Sequence, residues 1–293
     1  MLKLEAPAKV NLFLEVSRRR PDGYHELATL FARTGVSDTL SFRRTGRPGI
    51  RLAVKGGPRE LGRAEDNIVH KAAVRFFEAF RLEPDAEIRL EKRLPVGAGL
   101  GGGSSDAAAA LLGLARLYKV PRSGFRKLAG IAASIGSDVN FFLLGETFAE
   151  GRGRGEKLKA VKAGGRLPAL ILVYPGAPVY TKEAYGALEL GSPADIKRRL
   201  ADLGRLRALL RAGRFTRERA GLLFNRLEDP VLPRHKAVRD AKARLAALGA
   251  DAVLMSGSGA TVFALCWDRA KARKVAAAAA RIRKYKVFLT KFC

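Results

Sequence analysis

The sequence predicts an α+β protein with two domains. Three observations carry this. Apolar and polar residues alternate through much of the first 55 residues and again near residue 90. Segments with helical spacing take over from there. Beyond a glycine- and charge-rich stretch at residues 151–165, a second set of helices and strands begins. At about 150 residues per domain, a chain of 293 residues has room for two, and a hydrophobic content of 47% excludes global disorder.

Taken in order, Val10, Leu12 and Leu14 alternate with neighbours of the opposite face, and Thr39 to Phe42 and Ile50 to Val54 repeat that period, so residues 1–55 read as strands punctuated by the turns PDGYHE and RRTGRPG. Ile68, Val69, Ala72, Ala73, Phe76 and Phe77 follow helical spacing, which predicts a helix from Asn67 to Phe80. AEIRLEKRLP is a strand stopped by Pro95, and a helix from about Ser104 to Tyr118 follows a glycine run. Helices are expected over Phe125 to Ser134 and after Ser137. LPALILVYPG is a buried strand beyond a boundary near residue 160. The second half predicts helices from Ala194 to Arg211, Arg234 to Leu248 and Arg269 to Lys286, with strands from Ala252 to Met255 and Thr261 to Cys266. With no low-complexity linker between the halves, residues 1–160 and 161–293 are expected to pack closely around a cleft, the terminal KVFLTKF strand returning to the first domain.

The charge is +27, from 55 Lys and Arg against 28 Asp and Glu. Cations are spread along the chain without a basic block carrying interleaved aromatics, so a dedicated nucleic-acid partner is not expected; the Arg269 to Lys286 segment reads first as an Ala-rich helix with one solvated face. The basic balance reads either as attraction to phosphates on nucleic acid or membrane, or as a general surface bias around a site for a smaller anion. Cys266 and Cys293 lie far apart without a CxxC, which fits a reducing compartment, and three scattered histidines make a zinc centre improbable. Charged residues interrupt the N-terminal apolar stretch, and no run reaches the roughly 20 apolar residues needed to span a bilayer. A cytoplasmic protein without a membrane partner is expected.

The most informative segment is LPVGAGLGGGSSDAAAALLGLARLY, in which a strand ends, five glycines fall within seven residues and a helix starts. Glycines at 97, 99, 101, 102 and 103 leave backbone N–H groups open to an anion, and the helix adds its dipole. Ser104 or Ser105 is expected to cap the first turn while offering a hydroxyl to phosphate or a cation, with Asp106 near the helix start. Gly97, Gly99 and Gly102 satisfy G-x-G-x-x-G, but the preceding strand is charged and amphipathic, unlike a dinucleotide-binding strand. No Lys lies between Pro95 and Tyr118 to make a Walker loop.

PVGAGLGGGSSDAA resembles the phosphate-binding motif of the GHMP kinases, which include galactokinase, homoserine kinase and mevalonate kinase. APAKVNLFLEVSRRRPDGYHEL, SIGSDVNFFLLGETFAEGRGRGE, NRLEDPVLP and LMSGSGATVFAL are similar to further signatures of the branch that phosphorylates 4-diphosphocytidyl-2-C-methyl-D-erythritol, so the likeness runs from residue 6 to about 265. Asn140, where the branch commonly has Pro, and the two extra residues of EGRGRGE are departures.

The resemblance implies an N-terminal ATP-binding domain like domain 2 of ribosomal protein S5 and a ferredoxin-like C-terminal substrate domain. It places ATP on Pro95, Val96, Gly97, Ala98, Gly99, Leu100, Gly101, Gly102, Gly103, Ser104 and Ser105. Spacing alone would make Asp138 a helix cap and Lys9 a solvated strand lysine; the resemblance instead makes Asp138 the base for the substrate hydroxyl and Lys9 the cation that stabilises developing charge. Tyr24 and His25, otherwise an exposed turn, are placed at the cytosine, and Asn11 at the erythritol or phosphate part. The SGSGA segment at 256–260 reads as a hairpin turn and, by resemblance, as a motif packed near the phosphate loop. Mg²⁺ is the expected companion of ATP, with Ser105 its candidate ligand, and a monomer or weak homodimer is expected.

Overall fold

The computed structural model describes residues 1–57 and 64–293. The first half runs β1 (Leu2–Arg19), β2 (His25–Arg44), β3 (Gly49–Lys55), α1 (Ile68–Phe80), β4 (Asp85–Glu91), α2 (Gly102–Leu117), α3 (Phe125–Ile135), α4 (Val139–Leu144), β5 (Phe148–Gly153) and β6 (Lys157–Ala160). Then come β7 (Ala169–Tyr174), α5 (Thr181–Gly186), α6 (Pro193–Arg211), β8 (Phe224–Asn225), α7 (Glu228–Arg234), α8 (Lys236–Ala247), β9 (Ala252–Met255), β10 (Val262–Cys266), α9 (Arg269–Ala280) and β11 (Lys286–Thr290). The chain is α+β, as the sequence predicts. Its two compact units interleave along the sequence: one holds Met1–Ala8, Val36–Val96 and Gly101–Gly145, the other Lys9–Gly35, Gly97–Leu100 and Glu146–Cys293.

In the first unit β3 runs parallel to β4, and β4 pairs antiparallel with residues 39–44 of β2, where Leu40 faces Leu90 and Phe42 faces Ile88. These four side chains are buried, which is why the alternation was readable. Helix α1 starts where Asn67 Oδ1 accepts the Val69 N–H at 2.9 Å, and it buries Val69, Ala72, Ala73, Phe76 and Phe77. Phe77 meets Tyr118 edge to face at 5.2 Å. Helix α2 lies close over the sheet because Gly113 has no side chain: a methyl there would sit 2.3 Å from the Phe42 ring.

A buried ion trio ties β2, α2 and the segment after β4 together. Lys92 Nζ donates to Asp38 at 2.5 Å and to Asp106 at 2.8 Å, while Asp38 Oδ1 also accepts the Arg93 and Leu94 N–H groups at 2.5 and 2.8 Å. Burial works against the Lys92 charge, but Asp106 and Asp38 outweigh it and raise its pKa. One cation serves two carboxylates, and burial, with Asp38 adding to it against the pull of Lys92, pushes Asp106 up to about 7. The unfolded chain releases that proton near the usual 3.8, so folding retains a proton between there and 7. The stabilisation is complete below about 4 and is lost as pH rises through 7. Chemical denaturation from pH 4.5 to 8 is expected to show stability falling across this window, and less steeply in Asp106→Asn. Equal slopes would assign the proton elsewhere.

The second unit is built on an antiparallel sheet in the order β11-β7-β10-β9. Its core gathers Leu14 and Val16 of β1, Ile171 and Val173 of β7, Val238 and Leu245 of α8, Val262 and Ala264 of β10, and Val275 of α9. Phe13 and Leu14 pair in parallel with Phe224 and Asn225 of β8. Next to them the fully buried Glu15 takes both Arg226 Nε and Nη2, at 2.9 and 2.8 Å. Residues 27–32 of β2 pair with β5, and β5 with β6.

Two local expectations change. The glycine- and charge-rich stretch begins as the β5–β6 hairpin, whose turn uses positive φ at Gly153 and Gly155, at 72° and 106°. The helix expected from Arg234 to Leu248 forms as α8, and α7 precedes it, the backbone leaving the helical region between them at His235, with φ −112° and ψ 84°. The basic helix expected to reach Lys286 stops at Ala280: Lys286 and Val287 are committed to register with Tyr174 and Val173 of β7, and that pairing overrides local helix propensity. The residues after β11 join β2, where Gly35 N–H donates to Lys291 O at 2.9 Å.

Candidate active site

The glycine segment makes a tight path. Gly97, Gly99 and Gly101 all take left-handed φ, at 63°, 71° and 68°, a conformation that side chains resist. Gly101 is the residue before α2, and Ser105 N–H donates to its carbonyl at 2.9 Å. Ser104 and Ser105 therefore do not cap the helix: they lie inside its first turn, because glycine alone makes the left-handed entry. The N–H groups that open α2 have no carbonyl partner in the helix, an arrangement that can hold an anion.

In the second unit Ser256 Oγ donates to Gly99 O at 2.9 Å and Thr261 N–H to Ala98 O at 3.1 Å. Residues 256–260 join β9 to β10 and brace residues 98–99, so both readings of that turn hold. Asn225 holds the brace from beneath, its Nδ2 donating at 2.8 Å to Met255 O and at 2.8 Å to Gly257 O.

Lys9 belongs to the same unit. Its N–H donates to Leu100 O at 2.9 Å, and its side chain is only 5% exposed, so it is not a solvated strand lysine. Lys9 Nζ donates to Asn11 Oδ1 at 2.7 Å and lies 5.6 Å from the centre of the Phe31 ring. A methyl on Gly257 would come within 3.2 Å of Nζ, so that glycine keeps the space beside the ammonium open.

In the first unit Asp138 stands immediately before α4 with helical φ and ψ of −87° and −10°, and its carboxylate makes no capping bond to α4. The reading of Asp138 as a cap therefore has no hydrogen bond behind it. Helix α4 packs against α2, and a methyl on Gly136 would lie 3.7 Å from Ser104 Oγ, which sets the turn bearing Asp138 beside the first turn of α2.

Tyr24 and His25 sit in the second unit, where Tyr24 is 53% exposed. Its N–H donates to Asp22 Oδ1 at 3.1 Å, and the Arg154 guanidinium stands 4.7 Å from its ring centre. The His25 ring lies 5.2 Å from that of Tyr185 on α5. Burial, with Arg19 adding to it, lowers the His25 pKa, which keeps one ring nitrogen a donor and the other an acceptor at neutral pH.

Residues 67–146 match the GHMP kinases N terminal domain and residues 195–284 the GHMP kinases C terminal domain. A 4-diphosphocytidyl-2-C-methyl-D-erythritol kinase of Exiguobacterium sibiricum is 38% identical over 273 residues, 93% of this chain and 91% of that protein. One of Anaeromyxobacter sp. strain K is 42% identical, covering 93% and 83%. The chain belongs to the GHMP kinase family. A crystal structure of 4-(cytidine 5'-diphospho)-2C-methyl-D-erythritol kinase superposes on this kinase with a TM-score of 0.78 and 35% identity, over 99% of both chains. As a member of that family it is an ATP-dependent phosphotransferase.

Four residues that touch the expected site residues or their brace were not singled out from the sequence: Thr29, Arg154, Tyr185 and Asn225. Arg154 and Asn225 carried a signal, lying in the EGRGRGE and NRLEDPVLP signatures. Thr29 and Tyr185 are recognisable only from the side chains they touch. Among the described residues no group of three or more His, Cys, Asp or Glu forms a metal cluster. The Ser105 hydroxyl, buried in the first turn of α2 with no hydrogen-bond partner among the described residues, fits a cation held mainly by phosphate oxygens and water. No helix among the described residues is long and apolar enough to cross a membrane.

Proposed function

We propose that this kinase transfers the γ-phosphoryl group of ATP to the 2-hydroxyl of 4-diphosphocytidyl-2-C-methyl-D-erythritol, giving ADP and the 2-phosphate, a step of the methylerythritol phosphate route to isoprenoid precursors. The observation that carries the chemistry is the glycine path at 97–101, with left-handed φ at alternate residues, leading into the open N–H groups of α2. The choice of alcohol is supported by relatives about 40% identical over nine-tenths of the chain that bear this activity in their names.

Backbone amides of residues 97–105 hold the triphosphate, and the α2 dipole favours its charge. Asp138 accepts the proton of the substrate's tertiary hydroxyl as its oxygen attacks the γ-phosphorus and ADP leaves. Lys9 stabilises the negative charge that develops on the transferring group. Tyr24 stacks on the cytosine, His25 hydrogen-bonds its edge, and Asn11, its carbonyl held to Lys9, lies at the erythritol or phosphate part. Ser105 would hold Mg²⁺, which would supply positive charge to offset that of the phosphates. The compartment is the cytoplasm, the partner is the small-molecule substrate, and the protein is a monomer or weak homodimer.

A coupled ADP-release assay with the cytidyl substrate, homoserine and mevalonate in parallel tests the reading. Turnover of the cytidyl substrate alone is expected, and preference for either other alcohol would overturn the choice while leaving a kinase. Lys9→Ala is expected to lower kcat about 10²- to 10³-fold, the loss typical of one preorganised charge-stabilising donor. Normal kinetics in that variant would assign the role to another cation.

A further inference from the structure

Lys9 is held by a hydrogen-bond chain that runs to the backbone of its own strand. Lys9 Nζ donates to Asn11 Oδ1 at 2.7 Å, Asn11 Nδ2 donates to Thr29 Oγ1 at 2.8 Å, and Thr29 Oγ1 donates to Phe13 O at 2.7 Å. All three side chains are buried, with Lys9 at 5%, Asn11 at 3% and Thr29 at 0% exposure. The direction of each bond is forced. A backbone carbonyl only accepts, so the single Thr29 proton points at Phe13 O, and the hydroxyl meets Asn11 as an acceptor. Asn11 must then turn its NH₂ to Thr29 and its carbonyl oxygen to Lys9, whose ammonium only donates. The amide has no second orientation that satisfies both ends.

We propose that Thr29 is a positioning residue for phosphoryl transfer, fixing the Asn11 amide so that its carbonyl anchors the Lys9 ammonium where negative charge develops. The proposal rests on the role given above to Lys9. Thr29 lies on β2, in the stretch that pairs with β5, directly opposite Gly151. A methyl on Gly151 would come 3.0 Å from Thr29 Cγ2, so the glycine lets the Thr29 side chain keep its place. With the hydroxyl removed, Asn11 Nδ2 becomes a buried donor without an acceptor, and the anchor for Lys9 loosens. Because the chain bears on a charge that matters in the transition state, its loss falls chiefly on kcat.

Steady-state kinetics of Thr29→Val and Thr29→Ser, with ATP and the cytidyl substrate varied separately, test this. Thr29→Val keeps the shape and removes the hydroxyl, and it is expected to lower kcat about 10- to 100-fold with both KM values within about twofold of wild type. Thr29→Ser restores the hydroxyl and with it kcat. Wild-type kcat in Thr29→Val, a Thr29→Ser as slow as Thr29→Val, or a loss confined to KM would each overturn the proposal. Should Thr29→Val not fold, Thr29→Ala takes its place against Thr29→Ser with the same expected split. Lys9→Ala separates the two layers: if it turns over normally, the role of Lys9 falls and this proposal with it. A slow Lys9→Ala beside a normal Thr29→Val overturns this proposal alone.

Discussion

Asp138→Asn is expected to leave a folded protein that binds ATP with near wild-type affinity and turns over about 10²- to 10⁴-fold more slowly, the range for loss of a positioned general base. The size of the effect follows from the chemistry asked of this side chain. The attacking group is a tertiary alcohol, whose proton must leave as the new P–O bond forms, and an amide cannot take it. The retention of the fold follows from the structure. Asp138 makes no capping bond to α4, so the substitution removes no hydrogen bond that starts the helix. Asparagine has the same shape, and φ and ψ of −87° and −10° suit it equally. The N-terminal charge is worth about 0.3–2 kcal/mol to a helix end, and α4 is a single short element held by buried Val139, Phe141 and Phe142. The loss should therefore sit in kcat, with thermal midpoint and calorimetric ATP affinity unchanged. A variant retaining more than a tenth of wild-type kcat would remove Asp138 as the base.

Much of this was legible in the sequence, for identifiable reasons. The strands around Leu40, Phe42, Ile88 and Leu90 were readable because one face is buried and the period of two survives intact. The start of α1 was readable because Asn67 caps it through its own side chain. The glycine loop was readable as a tight entry to a helix because five glycines fall within seven residues, and three of them take left-handed φ. What failed were features decided at a distance. Ser104 and Ser105 look like caps, yet the left-handed Gly101 makes the entry to α2 and moves both into the first turn. The run RIRKYK is locally helical, yet β7 claims its end. Thr29, eighteen residues from Asn11, carries no pattern at all; only the folding of β2 onto β1 makes it the neighbour that orients the amide. Lys9 looked solvated because a lone lysine in an alternating strand usually is, and nothing local reveals that Phe31 and Asn11 enclose it.

Gly99→Ala is expected to be the most damaging single methyl in the glycine loop, abolishing measurable ATP binding and lowering the thermal midpoint. Two costs coincide there. The residue has φ of 71°, where an L side chain is strained by roughly 1–2 kcal/mol. The added carbon would also sit 2.2 Å from Ser256 O and 2.7 Å from Gly259 O. Those obstacles are backbone atoms, and their loop is pinned by Asn225 through the Met255 and Gly257 carbonyls and by the Ser256 bond to Gly99 itself. A flexible side chain would swing aside; a braced peptide pushes the glycine segment away, and with it the amides to which the proposed function assigns the phosphates. The other glycines supply the controls. Gly97 is also left-handed, at φ 63°, but among the described residues its methyl would meet only Pro178 Cβ at 3.4 Å, so Gly97→Ala should show the backbone strain without the collision. Gly103 lies in α2 with Ile68 at an ordinary 3.7 Å, and Gly103→Ala should leave the midpoint unchanged or slightly raised. Calorimetric ATP binding and thermal melts of the three variants should therefore rank them Gly99, Gly97, Gly103 in order of damage. Gly99→Ala with wild-type affinity and midpoint would mean that the contact between residues 98–99 and the 256–260 turn does not shape the phosphate site.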